Sequence, residues 1–195
     1  ISLSILIIFF ALFFINYNDA DKFEEYLKDG QYSKACKVFN NHEEECAGVL
    51  ATFLNNIISD YNNNTYTYDE TRLIITQMTG AGFSGNLISG CSEQITHLNI
   101  SKEYYLKAET SLEENNLEDA LNFYSLVIES DINYGDAQSK IELINENLSL
   151  YFQANELYNG NQYSKSYEIY QSIIATGVNT EIAEIKINIM DEVKS

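Results

Sequence analysis

Cysteine and histidine are the side chains of this sequence best suited to hold a metal ion. They are Cys36, His42, Cys46, Cys91 and His97. Zinc is bound by these two residue types, and each histidine follows one of the cysteines by six residues. On a helix, six residues turn a side chain about 120° away from the first, whereas chelating pairs stand four apart. We therefore predict no metal site.

The same residues define no catalytic arrangement. Two histidines at these positions do not indicate a Ser/His/Asp or Cys/His nucleophile, so we predict no catalytic residue and no enzymatic activity. Three cysteines leave at least one thiol unpaired. Cys46 with Cys91, or Cys36 with Cys46, could form a disulfide. Plain buried thiols are the alternative, and the sequence does not choose between them.

Residues 80–85 read GAGFSG, which is the glycine spacing of a dinucleotide-binding loop. In that loop the glycines connect a strand to a helix, so that backbone amides reach a pyrophosphate. Here the preceding residues have a helical pattern and no βαβ unit follows. We predict a flexible loop between two helices over 80–90, and no cofactor.

The chain is strongly acidic, with 29 Asp and Glu against 11 Lys and Arg and a formal net charge of −18. Such a charge repels nucleic acid and anionic lipid surfaces at long range, and no Lys/Arg cluster offsets it. The composition excludes nucleic-acid binding. It also predicts that a protein partner presents a basic or neutral surface.

Residues 1–15 read ISLSILIIFFALFFI, an apolar run interrupted by two serines. Such a run is typical of a membrane anchor or of a cleaved signal peptide. A buried core helix is disfavoured because every face is apolar. No small-x-small cleavage site follows, so a retained signal anchor over 1–17 is favoured. The acidic flank at Asp19 and Asp21 then places the remaining chain outside the cytoplasm.

The residues after this segment have the pattern of helices. Proline, the strongest helix breaker, is absent, and apolar residues recur at spacings of three and four. Helices are predicted over 19–29, 32–42, 46–61, 68–78, 92–115, 117–130, 135–159, 163–175 and 179–193. Leu73, Ile74 and Met78 are predicted to face inward. No segment shows strand alternation, and residues 19–195 form one domain.

Residues 104–134 carry a packing pattern for two antiparallel helices. Tyr104 and the small Ala108 lie one turn apart on the first helix. After a turn at Asn115-Asn116, the second helix carries Leu117, Ala120 and Tyr124. Small residues let two helices approach closely, and bulky residues fill the space beside them. The pattern resembles one tetratricopeptide (TPR) unit.

Two further copies of the second-helix pattern indicate a repeat. They are Tyr32, Ala35 and Phe39, and Tyr163, Ser166 and Tyr170. The last copy follows 46 residues after the one at Leu117, more than the roughly 34 of a TPR unit. We predict an all-α, TPR-like stack of antiparallel helical hairpins with irregular repeat length, preceded by an N-terminal apolar helix. A helical bundle whose hairpins share turn residues is the alternative.

The junction DINYGDA at 131–137 and the stretch SKEYY at 101–105 are similar to uncharacterised membrane-anchored TPR-like proteins of Gram-positive bacteria. The resemblance covers most of residues 19–175. It implies an extracytoplasmic protein-interaction domain with no known activity. Lys107 and Ser111 depart from the TPR pattern, which prefers Leu and Tyr there, and put the regularity of the superhelix in doubt.

The TPR resemblance also implies where a partner would bind. Tyr105 and Leu106 fall where such helices face their groove, and aromatic anchors in grooves are common binding hot spots. Glu109 and Glu113 follow on the same helix and would contact a basic partner. We expect a membrane-anchored, extracytoplasmic protein–protein interaction scaffold without catalytic activity. The alternatives are a structural spacer, or a small-ligand receptor using the 80–90 loop.

Overall fold

The computed structural model describes residues 18–194, with side chains up to Glu192, and this part of the chain is all-α. The all-α prediction is therefore confirmed. The helices are α1 Asp19–Lys28, α2 Tyr32–Asn41, α3 Glu43–Asn62, α4 Tyr68–Gly80, α5 Asn86–Glu113, α6 Leu117–Ser125, α7 Tyr134–Asn159, α8 Tyr163–Ala175 and α9 Glu181–Lys194.

The predicted membrane anchor, with the N-terminal apolar helix, occupies residues 1–17 and lies outside the described residues. A bilayer-spanning helix needs about 20 predominantly apolar residues. From residue 18 to residue 194, no helix meets the length and apolarity needed to cross a membrane.

Side-chain caps fix several helix ends. At the start of α1, Asn18 and Asp21 each accept a hydrogen bond from the other's backbone amide. Thr67 and Glu70 form the same capping box at α4. The hydrogen bonds from Thr67 lower the pKa of the Glu70 carboxyl. Gly30, two residues after the last residue of α1, has a φ of +68°, the left-handed conformation that commonly ends a helix.

Three predicted boundaries are wrong, and the first is the start of α3, which begins at Glu43 and not at residue 46. The 80–90 loop is shorter than predicted, because α5 begins at Asn86 and includes Gly90; of its glycines, only Gly82 and Gly85 have positive φ. The helix predicted over 117–130 ends at Ser125. There the buried Ser101 hydroxyl accepts a hydrogen bond from the Ile128 amide, which fixes a turn in place of further helix.

The predicted inward face of α4 is also partly wrong. Leu73 is more than half exposed, whereas Thr71, Ile75 and Met78 are buried. These three stand four and three residues apart and form the stripe that faces the core. Thr71 can be buried because its hydroxyl donates to the Thr67 carbonyl.

The chain divides into two compact units, Ile1–His97 and Leu98–Ser195. In the described part of the first unit, Phe23, Phe39 and Phe83 form an aromatic cluster with ring centroids 5.7–6.2 Å apart. Ala35 is fully buried, and Tyr32 lies 6.5 Å from the Phe53 ring. The residues of the first repeat copy therefore serve in packing.

The second unit consists of two three-helix modules that share α7. Module 1 comprises the second half of α5, α6 and the first half of α7. Its buried core is Ala108, Ala120, Tyr124, Val127, Ala137 and Ile144. Module 2 comprises the second half of α7, α8 and α9. Its buried core is Tyr151, Ala154, Tyr170, Ile173, Ala183 and Met190.

The two modules repeat at the 46-residue offset that the sequence indicates. Each core position of module 1 recurs 46 residues later as a buried residue, in order Ala154, Ser166, Tyr170, Ile173, Ala183 and Met190. The turns between their first two helices also match, because Asn115 and Asn161 both have a φ of 59°. Packing thus repeats residue for residue.

Small residues sit where the first two helices of each module cross. Ala108 and Ala120 are fully buried in module 1, and Ala154 and Ser166 take their places in module 2. The Ser166 hydroxyl donates to the Ala154 carbonyl at 2.8 Å, so its polar group is satisfied. In module 2 this hydrogen bond places the two helices in direct contact at the small residues.

The bulky repeat residues lie beside these crossings. Tyr104 and Leu117 are half-buried against the core of module 1. Tyr163 is more exposed than the packing prediction implies, and its ring meets the Tyr158 ring edge-on at 5.3 Å. The repeat therefore tolerates partial exposure at the start of its second helix.

Gly30 and Gly48 offer a matched test of backbone conformation, because an added Cβ would meet nothing within 4 Å at either position. Gly30→Ala should destabilise the fold by about 1 kcal/mol or more, since its positive φ strains any L residue. Gly48→Ala, inside helix α3, should stabilise it by about 0.5–1 kcal/mol. Urea unfolding followed by circular dichroism measures both. Equal effects of the two substitutions would contradict the assigned conformations.

Candidate functional site

The residues predicted to bind a partner lie in module 1, on α5, and two of them belong to a polar cluster. The Tyr105 hydroxyl donates to Asp136 Oδ2 on α7 at 2.6 Å. The Tyr124 hydroxyl, from α6, donates to Glu109 Oε1. The two tyrosine rings meet edge-on at 6.0 Å. One aromatic pair thus connects the three helices of module 1 through two carboxylates.

The two tyrosine hydroxyls of this cluster stay protonated, because their pKa values are raised. Burial, followed by the hydrogen bond to Asp136, raises the pKa of Tyr105, and burial with the hydrogen bond to Glu109 raises that of Tyr124. Lys140 Nζ stands 3.9 Å from Glu109 Oε1 and offsets part of its charge. Tyr105 and Glu109 therefore have internal partners, and their polar groups stabilise the module.

Module 2 repeats the tyrosine pair, but an amide replaces one carboxylate and backbone groups replace the other. The Tyr170 hydroxyl donates to Asn155 Oδ1 at 2.7 Å, and Asn155 follows Glu109 by 46 residues. The Tyr151 and Tyr170 rings are 6.0 Å apart. The Tyr151 hydroxyl donates to the Asn179 carbonyl and accepts from the Ala183 amide, both at 2.9 Å. A tyrosine pair at this place is therefore architectural.

The two other predicted binding residues are open to solvent. Leu106 is 64% exposed, and Glu113 is exposed at the end of α5. Sequence reasoning missed a related residue, Phe152, which is 74% exposed and follows Leu106 by 46 residues. The same 46-residue offset that relates the cores would have found it. Each module thus exposes one large apolar side chain at the same position.

The three cysteines form no disulfide. Cys36, Cys46 and Cys91 are free and buried, which agrees with the buried-thiol alternative. Burial raises the pKa of the Cys91 thiol to about 11, so it is protonated and unreactive at neutral pH. His42 Nε2 lies 3.3 Å from Asp19 Oδ2. Within residues 18–194 no three metal-ligating side chains come together.

The glycine motif at 80–85 forms the turn between α4 and α5. A Cβ added to Gly82 would stand 3.2 Å from Cys36 Sγ, so this glycine serves close packing. Beside the turn, an open cleft of about 480 Å³ lies between α4 and α5 and reaches Gly80. Its charged lining residue is Arg72, the single arginine of the chain. The hydroxyl-bearing residues that line it are Thr76, Thr79, Ser92 and Thr96.

No family model, curated protein or solved structure matches this chain. The internal repeat therefore supplies the comparison. Buried positions that are alike in modules 1 and 2 show what the packing requires, and exposed positions that are alike need another explanation. Positions that differ between them report what one module does alone.

Replacing Tyr124 or Tyr170 by Phe tests the polar cluster. Tyr124→Phe should cost about 1.5–3 kcal/mol, because it removes a hydrogen bond to a carboxylate, whereas Tyr170→Phe should cost about 0.5–1.5 kcal/mol, the usual value for neutral partners. Chemical denaturation gives both values. Since the two rings are equivalent in the repeat, each variant controls for the other. A larger loss for Tyr170→Phe would contradict the assignment.

Proposed function

We propose that this chain is a TPR-like scaffold that binds a protein partner and carries out no catalysis. The support for a TPR-like arrangement is the repetition of antiparallel helix pairs with small residues at their crossings. In a module built in this way the buried residues serve in packing. The exposed side chains are then the ones available to bind a partner.

One observation carries the proposal: Leu106 and Phe152 are the most exposed large apolar side chains of the described residues, and they occupy equivalent positions. A single exposed apolar residue is ordinary on a protein surface. Repetition at the same place in two modules is not explained by packing, since neither side chain belongs to a core. Large apolar anchors are what protein-binding surfaces use.

The negative charge of the chain restricts the surface charge that a partner can have. The net charge of −18 lies entirely after residue 17, because residues 1–17 contain no charged side chain. Glu113 adds a carboxylate on the same helix as Leu106. A basic or neutral protein surface is therefore favoured, and nucleic acid is disfavoured. Association with a basic partner weakens with salt, since the Debye length is about 8 Å at physiological ionic strength.

Leu106→Asp tests this face, with Leu73→Asp as the matched control because Leu73 is also exposed but lies in the first unit. Crosslinking in the native membrane, followed by quantification of each crosslinked partner, is the measurement. Leu106→Asp should reduce the yield of a specific partner at least about fivefold, the effect of losing one hot-spot residue. The control should retain it.

Glu113→Lys should slow association of the same partner and reduce its dependence on salt. Glu109 is unsuitable for this test, because the Tyr124 hydroxyl needs its carboxylate. Unchanged recovery with Leu106→Asp, while circular dichroism shows intact helices, would contradict the scaffold proposal. It would favour a spacer that holds another component off the membrane.

A second candidate, a small-ligand receptor, is favoured by the cleft between α4 and α5. Arg72 has no carboxylate within ion-pair distance among the described residues, and its guanidinium lies 5.6 Å from the Tyr68 ring centroid. A thermal shift with a small anion that Arg72→Gln abolishes would favour this candidate. At a hundredfold excess over Kd, such binding stabilises by about 2.7 kcal/mol.

We further propose that residues 1–17 tether the protein to a membrane with the helical domain outside the cytoplasm. The apolar run and the acidic flank after it support this orientation. Protease added to intact cells should therefore digest the domain as completely as it does after lysis. A domain protected until the cells are opened would contradict the orientation.

A further inference from the structure

Helix α9 carries an apolar stripe that no part of the described structure covers. Ile182, Ile185 and Ile189 are 47%, 50% and 41% exposed. They stand three and four residues apart, so they lie on one face of the helix. The core of module 2 uses another face of α9, through Ala183 and Met190. The helix is therefore apolar on its buried side and also on its free side.

Module 1 shows that the fold does not require this stripe. The residues 46 positions earlier, on α7, are Asp136, Ser139 and Leu143; the first two are exposed and the third is half-buried. They keep this exposure although a complete module follows them in the chain. Further helices of the same array would therefore leave the positions of Ile182 and Ile185 uncovered, and that of Ile189 covered only in part.

The charges around the stripe restrict what can cover it. Glu181 stands one turn before Ile185 and accepts a hydrogen bond from the neutral Asn115 Nδ2 at 3.0 Å, which leaves its charge unbalanced. Glu192 stands one turn after Ile189, so carboxylates flank both ends. Lys186 lies beside the stripe, but its Nζ lies 5.1 Å from the Tyr158 ring centroid. A second copy of this chain would bring another −18 against these carboxylates. An anionic lipid surface is repelled in the same way.

We propose that the Ile182–Ile185–Ile189 stripe docks an amphipathic helix of a partner protein, with apolar residues at a spacing of three and four and Lys or Arg at its flanks. Such helices bind apolar stripes through anchors at this spacing. The flanking Lys or Arg meets Glu181 and Glu192 and fixes the orientation. The inference rests on the proposed scaffold function and names a second surface, separate from Leu106 on α5.

Two synthetic helical peptides test the proposal. Both carry leucine at three-and-four spacing; one has lysines at the flanking positions and the other has glutamates. Each is fluorescently labelled and titrated with the full chain in neutral detergent micelles, and anisotropy gives Kd. The lysine peptide should bind, and the glutamate peptide should bind at least about tenfold more weakly.

Variants assign the peptide to the stripe. Ile185→Gln with Ile189→Gln should weaken the lysine peptide at least about tenfold, because two anchors are lost. Glutamine retains helix propensity, and circular dichroism verifies the helix content. Leu73→Gln with Leu87→Gln is the matched control, since both leucines are exposed residues of the first unit, and it should leave Kd unchanged.

Several results would overturn the inference. One is absence of binding by the lysine peptide, and another is equal affinity of the stripe variant and the wild type. If Leu106→Asp abolishes peptide binding and the stripe variant does not, the peptide binds at α5. That result would contradict the stripe proposal but not the scaffold proposal. If sedimentation shows the wild type as a dimer and the stripe variant as a monomer, the stripe binds a second copy of the chain. Hydrogen-exchange protection of residues 181–192 in phosphatidylcholine vesicles but not in micelles would assign it to lipid.

Discussion

The second unit depends on how closely two helices approach at a pair of small residues. In module 1 these are Ala108 on α5 and Ala120 on α6, and neither exposes any surface. Both belong to the core that brings α6 close enough to α5 for the Tyr124 hydroxyl to reach Glu109. A larger side chain at either alanine would separate the helices, at a typical cost of about 1–3 kcal/mol for overpacking. The polar cluster would lose its geometry with it.

Comparing module 1 with module 2 distinguishes the residues that packing requires from those that it does not. Core positions in the two modules match in burial at every step, including the exchange of Ala120 for Ser166. The modules differ mainly in what they present to solvent. Where module 1 has Asp136 bound to Tyr105, module 2 has an exposed isoleucine. In module 2 the Tyr151 hydroxyl bonds the Asn179 carbonyl and the Ala183 amide instead. It needs no carboxylate there, so the packing does not determine the residue at this position.

Much of the helical architecture could be predicted from local patterns. The bounds of α8 agree with the prediction at both ends, because turn residues at Asn161 and beyond Ala175 mark them. The inward face of α4 could not be predicted, since Thr71 has an aliphatic methyl and a hydroxyl, and only the backbone acceptor at Thr67 decides that it is buried. Residues 1–17 lie outside the described part of the chain, so their prediction stays untested.

The candidate site was less predictable, because partners on other helices decide it. The sequence places Glu109 on the groove helix but does not show that a hydroxyl from α6 occupies its carboxylate. On α9 the isoleucines at 182, 185, 187 and 189 are alike in sequence. Ala183 and Met190 occupy core positions, and this leaves three of the four exposed. Burial on this helix therefore depends on where α8 and the second half of α7 lie, which no local pattern encodes.

The length of α7 makes the two modules thermodynamically inseparable. In a solenoid of discrete repeats, each unit contacts only its neighbours and can open at an interface between complete helices. Here one continuous helix of 26 residues supplies Ile144 to one core and Ala154 to the other. Fraying of that helix in its middle would expose both cores at once, so we expect the modules to unfold as one cooperative segment. The 46-residue period describes the packing pattern, while the expected unit of cooperativity is the whole of the second unit.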